Sequence, residues 1–333
     1  MGDKTLYVDR VGAVLARDGR RLVVRGRDRS IVSEIPVLQV SQIVLVGNVQ
    51  VTGSALDLIL TEEVDTVFLT RHGRFKARLD PAGSHFSTVR LAQYAHVTDS
   101  ERRIAMARAF VEGKLRNMRT VLSRRRRAGA DDLETAIARL DITLDNLPTA
   151  ATVEEIRGHE GIGSKAYFSG FRDCLKQDMG FERRARRPPP DPINALLSFG
   201  YTILASYCDG ALRRVGLDTF LGYLHEPADR KPSLTLDFME EFRPLIVDTV
   251  VLAGVNRIEY TVKDFKTSGR RCTMNPTLLA RFVDSLETRL DAPTGATSSE
   301  SSTFRLAMVA QARQLVRIVT HATTQTYRPL AWR

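Results

Sequence analysis

The hydrophobic pattern changes period near residue 88, and that change limits what the chain can fold into. Before it, short segments rich in Val, Ile and Leu recur, each closed by Gly, Asp or Pro. Segments 5–8, 12–16, 21–24, 35–40, 43–46 and 66–70 read as strands. Asp18-Gly19 and His72-Gly73 read as hairpin turns between such runs. One short helix, 54–60 with Ser54 as its cap, interrupts them. Many short strands at close spacing predict a small β-sandwich over residues 1–88.

From residue 89 the apolar positions recur at the helical period of about 3.6 residues. Helices are expected over 89–95, 99–127, 131–144, 152–178, 191–214, 234–252, 276–289 and 300–321. Thr98-Asp99 precedes the arginine-rich helix, and Thr152 with Glu155 forms a capping box. Segment 186–192 holds four prolines among basic residues and cannot be helical. Segment 291–302 is a second loop. The expected architecture is α+β: a small N-terminal β-sandwich domain, 1–88, followed by a larger all-α catalytic domain, 89–333.

Charge narrows the partner. Lys plus Arg outnumber Asp plus Glu by 49 to 39, giving a formal net charge of +10. Between Glu101 and Gly129 there are ten Arg or Lys against two Glu, ending in the run Arg124, Arg125, Arg126, Arg127. Such clustering fits a polyanion. Arg183, Arg184, Arg186 and Arg187 form a second basic segment. Three scattered cysteines form neither a disulfide framework nor a zinc motif, and they predict a reducing, cytoplasmic setting. No signal-type segment opens the chain, and no apolar run is long enough to span a membrane.

Three segments of the helical half carry unusual polar residues. Glu160 lies in a helix holding Gly158, Gly161 and Gly163. Each glycine costs a helix about 1 kcal/mol relative to alanine, so something packs close to that backbone, or the helix is loosely built around an exposed Glu. Asn194, Ser198 and Tyr201 share one helix face, either as the polar side of a cleft or as satisfied groups in a core. His225 precedes Asp237 and Glu240, which stand three apart and are expected on one helix face. Leu234, Leu236, Phe238 and Met239 surround those acids. A buried carboxylate needs a partner, and Arg243 or a metal ion would serve. Imidazole and carboxylates together suit a divalent cation.

Together the motifs RGHEGIGSKAYF, NALLSFGYTIL, GLDTFLGYLHEP and SLTLDFMEEFRPLIVD resemble those of the CRISPR-associated integrase family, Cas-one, the catalytic subunit of spacer acquisition. The resemblance covers most of the chain, with all four motifs in order. It implies that Glu160, His225 and Glu240 are metal ligands for Mg²⁺ or Mn²⁺. It implies a supporting role for Asp237, cleft positions for Asn194 and Tyr201, and an aromatic position near the cleft for Tyr167. It further implies metal-dependent transesterification, in which the 3′ hydroxyl of a foreign DNA fragment (the protospacer) attacks the edge of a CRISPR repeat. Cleavage of single-stranded, double-stranded or branched DNA would follow when water replaces the hydroxyl. The implied assembly is a homodimer through the β domains, with a small second CRISPR-associated protein bridging two dimers. The alternatives are a non-catalytic DNA-binding module that uses the basic helices alone, and a repair nuclease for branched DNA that shares the same site and differs in the acceptor.

Overall fold

The computed structural model describes residues 4–10, 12–70, 75–79, 86–129, 133–185, 188–295, 303–321 and 326–332. They divide into two compact units, Met1–His85 and Phe86–Arg333. The turn expected at His72-Gly73, and Arg186 and Arg187 of the second basic segment, lie outside the described residues.

The first unit contains β1 (Lys4–Val8), β2 (Val14–Asp18), β3 (Arg21–Arg25), β4 (Ile31–Pro36), β5 (Val40–Val46), β6 (Gln50–Val51), α1 (Gly53–Thr61), β7 (Asp65–Leu69) and β8 (Phe75–Leu79). Two four-stranded sheets form, in the orders β1-β5-β7-β8 and β4-β3-β2-β6. Leu6, Leu15, Leu22, Ile43, Leu45 and Leu58 come from both sheets and α1, and they share one core. The predicted turn is realised: Gly19, with φ of +57°, opens a two-residue β2–β3 connection. Not every neighbour is a hairpin: β1, β5 and β7 run parallel, with α1 in the crossover between the last two. Thr52, not Ser54, caps α1, its side chain accepting from Ala55 N at 3.2 Å. The expected strand 35–40 ends at Pro36, and a 3₁₀ turn fills Val37–Gln39.

The second unit contains α2 (Ser87–Thr98), α3 (Ser100–Arg127), α4 (Glu134–Asn146), α5 (Val153–Asp173), α6 (Pro192–Arg214), α7 (Ser233–Phe238), α8 (Thr249–Asn256), α9 (Pro276–Leu290) and α10 (Phe304–Thr320). It is not all helical. An antiparallel hairpin, β9 (Phe265–Ser268) and β10 (Arg271–Met274), turns at Gly269 with φ of +56°. The expected helix 234–252 is broken as well. Pro244 has no N–H, and its ring conflicts with the carbonyl of Glu240. The chain tightens to 3₁₀ at Met239–Glu241 and widens to a π-turn at Pro244–Asp248. Cys174, Cys208 and Cys272 are buried thiols. Among the described residues, no helix is long and apolar enough to cross a membrane.

The packing of α5 on α3 and α4 positions the site. A Cβ on Gly163 would lie 2.4 Å from Leu115 Cδ2, and one on Gly170 would lie 2.9 Å from Ala136 Cβ. Close approach explains these two glycines. Gly158 and Gly161 have nothing within 4 Å of the equivalent position. Gly163→Ala is therefore expected to lower stability by about 1–3 kcal/mol through overpacking. Gly161→Ala should be neutral or raise stability by up to about 1 kcal/mol. Thermal melts of the two variants check this, and equal effects would remove the close-packing explanation.

Candidate active site

Four pieces of backbone converge here: α3, α5, the 3₁₀ turn at 239–241 and the loop between α6 and α7. That loop carries His225 and, beyond a few turns and an Ala228–Lys231 bridge, forms no helix or strand, so side chains help to hold it. Arg103 of α3 donates to Tyr223 O at 3.1 Å and pairs with Glu226 at 2.7 Å. Arg157 of α5 donates to Leu224 O at 2.6 and 2.8 Å. Gly222 is required by space, since a Cβ there would lie 2.8 Å from His225 O.

Asp237 is the inner anchor. Fully buried, it accepts from the N–H groups of Tyr223 (2.6 Å), Leu224 (2.9 Å) and His225 (2.9 Å). The same carboxylate lies 2.6 Å from His225 Nδ1. A carboxylate can only accept, so Nδ1 is the nitrogen that donates here, and Nε2 is left as the nitrogen that offers a lone pair whenever the ring is neutral. Metal-binding imidazoles are commonly oriented this way.

Glu240 points elsewhere. The pair expected on one helix face is split, because α7 ends at Phe238 and Glu240 lies on the 3₁₀ turn. Its Oε1 lies 3.2 Å from Arg243 Nη1, and its Oε2 lies 2.8 Å from Lys114 Nζ. The second contact is an ion pair without hydrogen-bond alignment, leaving buried Oε2 with no directed donor. Burial pushes the Glu240 carboxyl up, but Arg243 and then Lys114 outweigh it and hold it down at about 2. Lys114 also contacts Glu160 Oε1, which accepts from Ser164 Oγ at 2.9 Å. One ammonium thus joins two of the three predicted ligands, with His225 close enough to Glu240 to help lower its pKa.

The remaining predicted residues lie around this centre. Tyr201 and Tyr167 both donate to buried Asp248, at 2.6 and 2.8 Å. Tyr201 is linked to Glu240 through Arg243, whose guanidinium lies 4.9 Å from the ring centroid. Tyr167 is wholly buried. The polar face of α6 is real, and Arg184 occupies it: its guanidinium bonds Asn194 at 2.7 Å and Ser198 at 3.1 Å and lies 5.4 Å from the Tyr201 ring centroid. Asn194 is buried away from Lys114 and its carboxylates, and it fastens segment 183–185 to α6.

Much of the basic stretch on α3 has internal partners. Arg108 binds Ala150 O at 2.7 Å, Arg116 pairs with Glu112 at 2.6 Å, and Arg119 pairs with Asp141. Arg124 stacks 3.4 Å from the Trp332 ring centroid. Arg126, Arg127 and Arg183 are exposed, with Arg126 at 3.8 Å from Glu134. Arg125 lines a cavity of about 260 Å³ with Lys176 and Arg257.

Sequence reasoning missed Lys114, Arg103 and Arg157. Lys114 had a visible signal: it is the charged residue on the buried stripe of α3 that includes Phe110, Val111, Leu115 and Met118. Arg103 and Arg157 act on a loop distant in sequence and left none.

Two carboxylates and an imidazole nitrogen are donors of the kind a divalent cation takes, and Glu240 Oε2 is buried without a directed hydrogen bond. Among the described residues, no three His, Cys, Asp or Glu side chains converge tightly enough to hold an ion as they stand. Lys114 lies between two of the proposed ligands.

The chain belongs to the Cas1 family: the model for CRISPR associated protein Cas1 matches residues 6–288. It is 36% identical to CRISPR-associated endonuclease Cas1 3 of Thermus thermophilus, over 95% of this chain and 94% of that one. It is 34% identical to a CRISPR-associated exonuclease Cas4/endonuclease Cas1 fusion of Geobacter sulfurreducens, over 94% of this chain and 57% of the fusion. Among solved structures, a casposase bound to integration product superposes with a TM-score of 0.88 at 23% identity, covering 99% of this chain and 95% of that one. A CAS1 protein from Thermotoga maritima superposes at 0.82 and 24% identity, covering 97% and 99%. These last two establish the fold.

Asp248 supplies a pH test. Burial raises its carboxyl from 3.8 to about 6, against the opposing hydrogen bonds from Tyr201 and Tyr167. Between those values the unfolded chain is ionised there and the folded chain is not. Stability is full below about 4 and declines as pH rises through about 6, by up to about 3 kcal/mol. Asp248→Asn should flatten the stability curve in that window. An unchanged slope would show that Asp248 is ionised in the folded protein.

Proposed function

We propose that this protein is a DNA endonuclease and integrase that inserts foreign DNA fragments into a CRISPR array. The observation that carries the reading is the approach of Glu160 and Glu240, from two separate elements, to one cation position beside an imidazole oriented by Asp237. Family membership and the endonuclease names of its curated relatives support it. The structural neighbours include a casposase bound to integration product and a Cas6-RT-Cas1–Cas2 complex.

In this reading Glu160, His225 and Glu240 hold Mg²⁺ or Mn²⁺, which when bound supplies Lewis-acid polarisation of the scissile phosphate. Asp237 fixes the imidazole through Nδ1, leaving Nε2 as the nitrogen that would take the ion. Arg243 holds Glu240 ionised and ties it to Tyr201. Arg125, Arg126, Arg127 and Arg183 hold the DNA backbone without reading bases. The incoming 3′ hydroxyl or a water is the nucleophile, giving strand transfer or cleavage. Homodimerisation through the β unit belongs to the same reading. A small second CRISPR-associated protein bridges two dimers.

Glu160→Gln, His225→Ala and Glu240→Gln are each expected to reduce Mn²⁺-dependent strand transfer into a repeat-bearing plasmid by roughly a hundredfold or more. Joined product separates an integrase from a repair nuclease, which would only cut. Wild-type rates in a folded variant would remove that residue from the site.

Affinity for DNA should fall steeply with salt. Arg126→Ser and Arg127→Ser should each flatten the log–log slope by about 0.9 on duplex DNA if each touches a phosphate. Arg116→Ser, on a residue paired with Glu112, should not. A slope indifferent to Arg126 and Arg127 would mean that this helix end faces solvent.

A further inference from the structure

We propose that Lys114 is the resident occupant of the metal cradle, so that its ammonium must leave Glu160 and Glu240 before a divalent ion can bind there. This rests on the reading of those residues as ligands and adds to it a gate within the chain.

Position is the first ground. Lys114 Nζ touches Glu160 Oε1 and lies 2.8 Å from Glu240 Oε2, so one ammonium bridges carboxylates from α5 and the 3₁₀ turn. A divalent ion bound to those oxygens would sit at about 2.1 Å from each. It would overlap the ammonium or stand against it as a like charge.

The second ground is how loosely the ammonium is held by Glu240. The Lys114 side chain is only 3% exposed, yet its contact with Glu240 Oε2 lacks hydrogen-bond alignment. Attraction there is electrostatic and not directional, which an ion of higher charge can outcompete.

Third, neither carboxylate is stranded when the lysine departs. Arg243 remains 3.2 Å from Glu240 Oε1, and Ser164 still donates to Glu160 at 2.9 Å. Solvent reaches the cradle on one side, since Glu160 is 25% exposed and Glu240 3%. The four-carbon stem of Lys114 stays rooted in the buried stripe of α3, and only the head has to swing.

The test measures metal binding itself, on the full-length chain. Mn²⁺ affinity is read by electron paramagnetic resonance for wild type, Lys114→Met and His225→Ala. If the lysine holds the cradle nine-tenths of the time, Lys114→Met should tighten Mn²⁺ binding roughly tenfold. In parallel, acetylation of wild-type Lys114 is followed by mass spectrometry, with and without Mn²⁺. This arm needs no variant to fold. Labelling should rise several-fold with the ion, as the head group moves to solvent. Mn²⁺ binding that is sensitive to His225→Ala, but unchanged or weaker in Lys114→Met, would overturn the gate and leave the metal site standing. Bound Mn²⁺ with no rise in Lys114 labelling would do the same. Mn²⁺ binding insensitive to His225→Ala in every variant would overturn the metal reading, and the gate with it.

Discussion

The close crossing of α5 over α3 is the constraint on which the candidate site depends. Gly163 and Gly170 carry no side chain where Leu115, Leu122 and Ala136 press in. That intimacy brings Glu160, three residues before Gly163, against Lys114, next to Leu115. A Cβ at residue 163 would have to displace the Leu115 side chain that fills this space. Buried ion pairs depend steeply on such geometry, since the attraction must offset the loss of water around both charges. Apolar packing is therefore what holds the polar centre together.

A second constraint comes from Pro244. An unbroken helix would have placed Asp237 and Glu240 on one face. The conflict with the Glu240 carbonyl tightens one turn and widens the next, and the two acids part. Asp237 then serves the loop, taking three backbone N–H groups and the ring of His225. Glu240 serves the cations Lys114 and Arg243. One carboxylate orients a base while the other stays charged in a buried setting, with its pKa held at about 2.

What could be read in the sequence follows from how local its cause is. The long helices were legible because period and caps are written in neighbouring residues. Asp99 caps α3 and Thr152 caps α5, although Glu155 accepts from Ala151 N and does not close the expected box on Thr152. Strand pairing was not, since parallel neighbours such as β1 and β5 are set by long-range packing. The broken helix at 239–248 was legible in principle from Pro244, but the apolar period around it is strong enough to hide one proline. Motif resemblance named Glu160, His225, Asp237 and Glu240. Nothing local revealed Arg103 and Arg157, whose partners lie 120 and 67 residues away. The polar face of α6 was seen correctly as Asn194, Ser198 and Tyr201, but its occupant, Arg184, comes from a different segment.

The positive charge, finally, divides into two populations that composition cannot tell apart. Lys114, Arg103 and Arg184 are desolvated or partly so, and each fixes a piece of backbone or a carboxylate. Arg126, Arg127 and Arg183 stay in water. Ionic strength screens exposed charges over about 10 Å at 0.1 M but barely reaches buried pairs. Salt should therefore loosen the hold on a polyanion long before it disturbs the centre around Lys114. The same arithmetic makes the buried group the more consequential one. Removing a partner from a desolvated pair costs about 3–5 kcal/mol, whereas an exposed pair is worth about 1 kcal/mol or less. A net charge of +10 thus says that a polyanion can be attracted, and burial decides which of those charges also build the site.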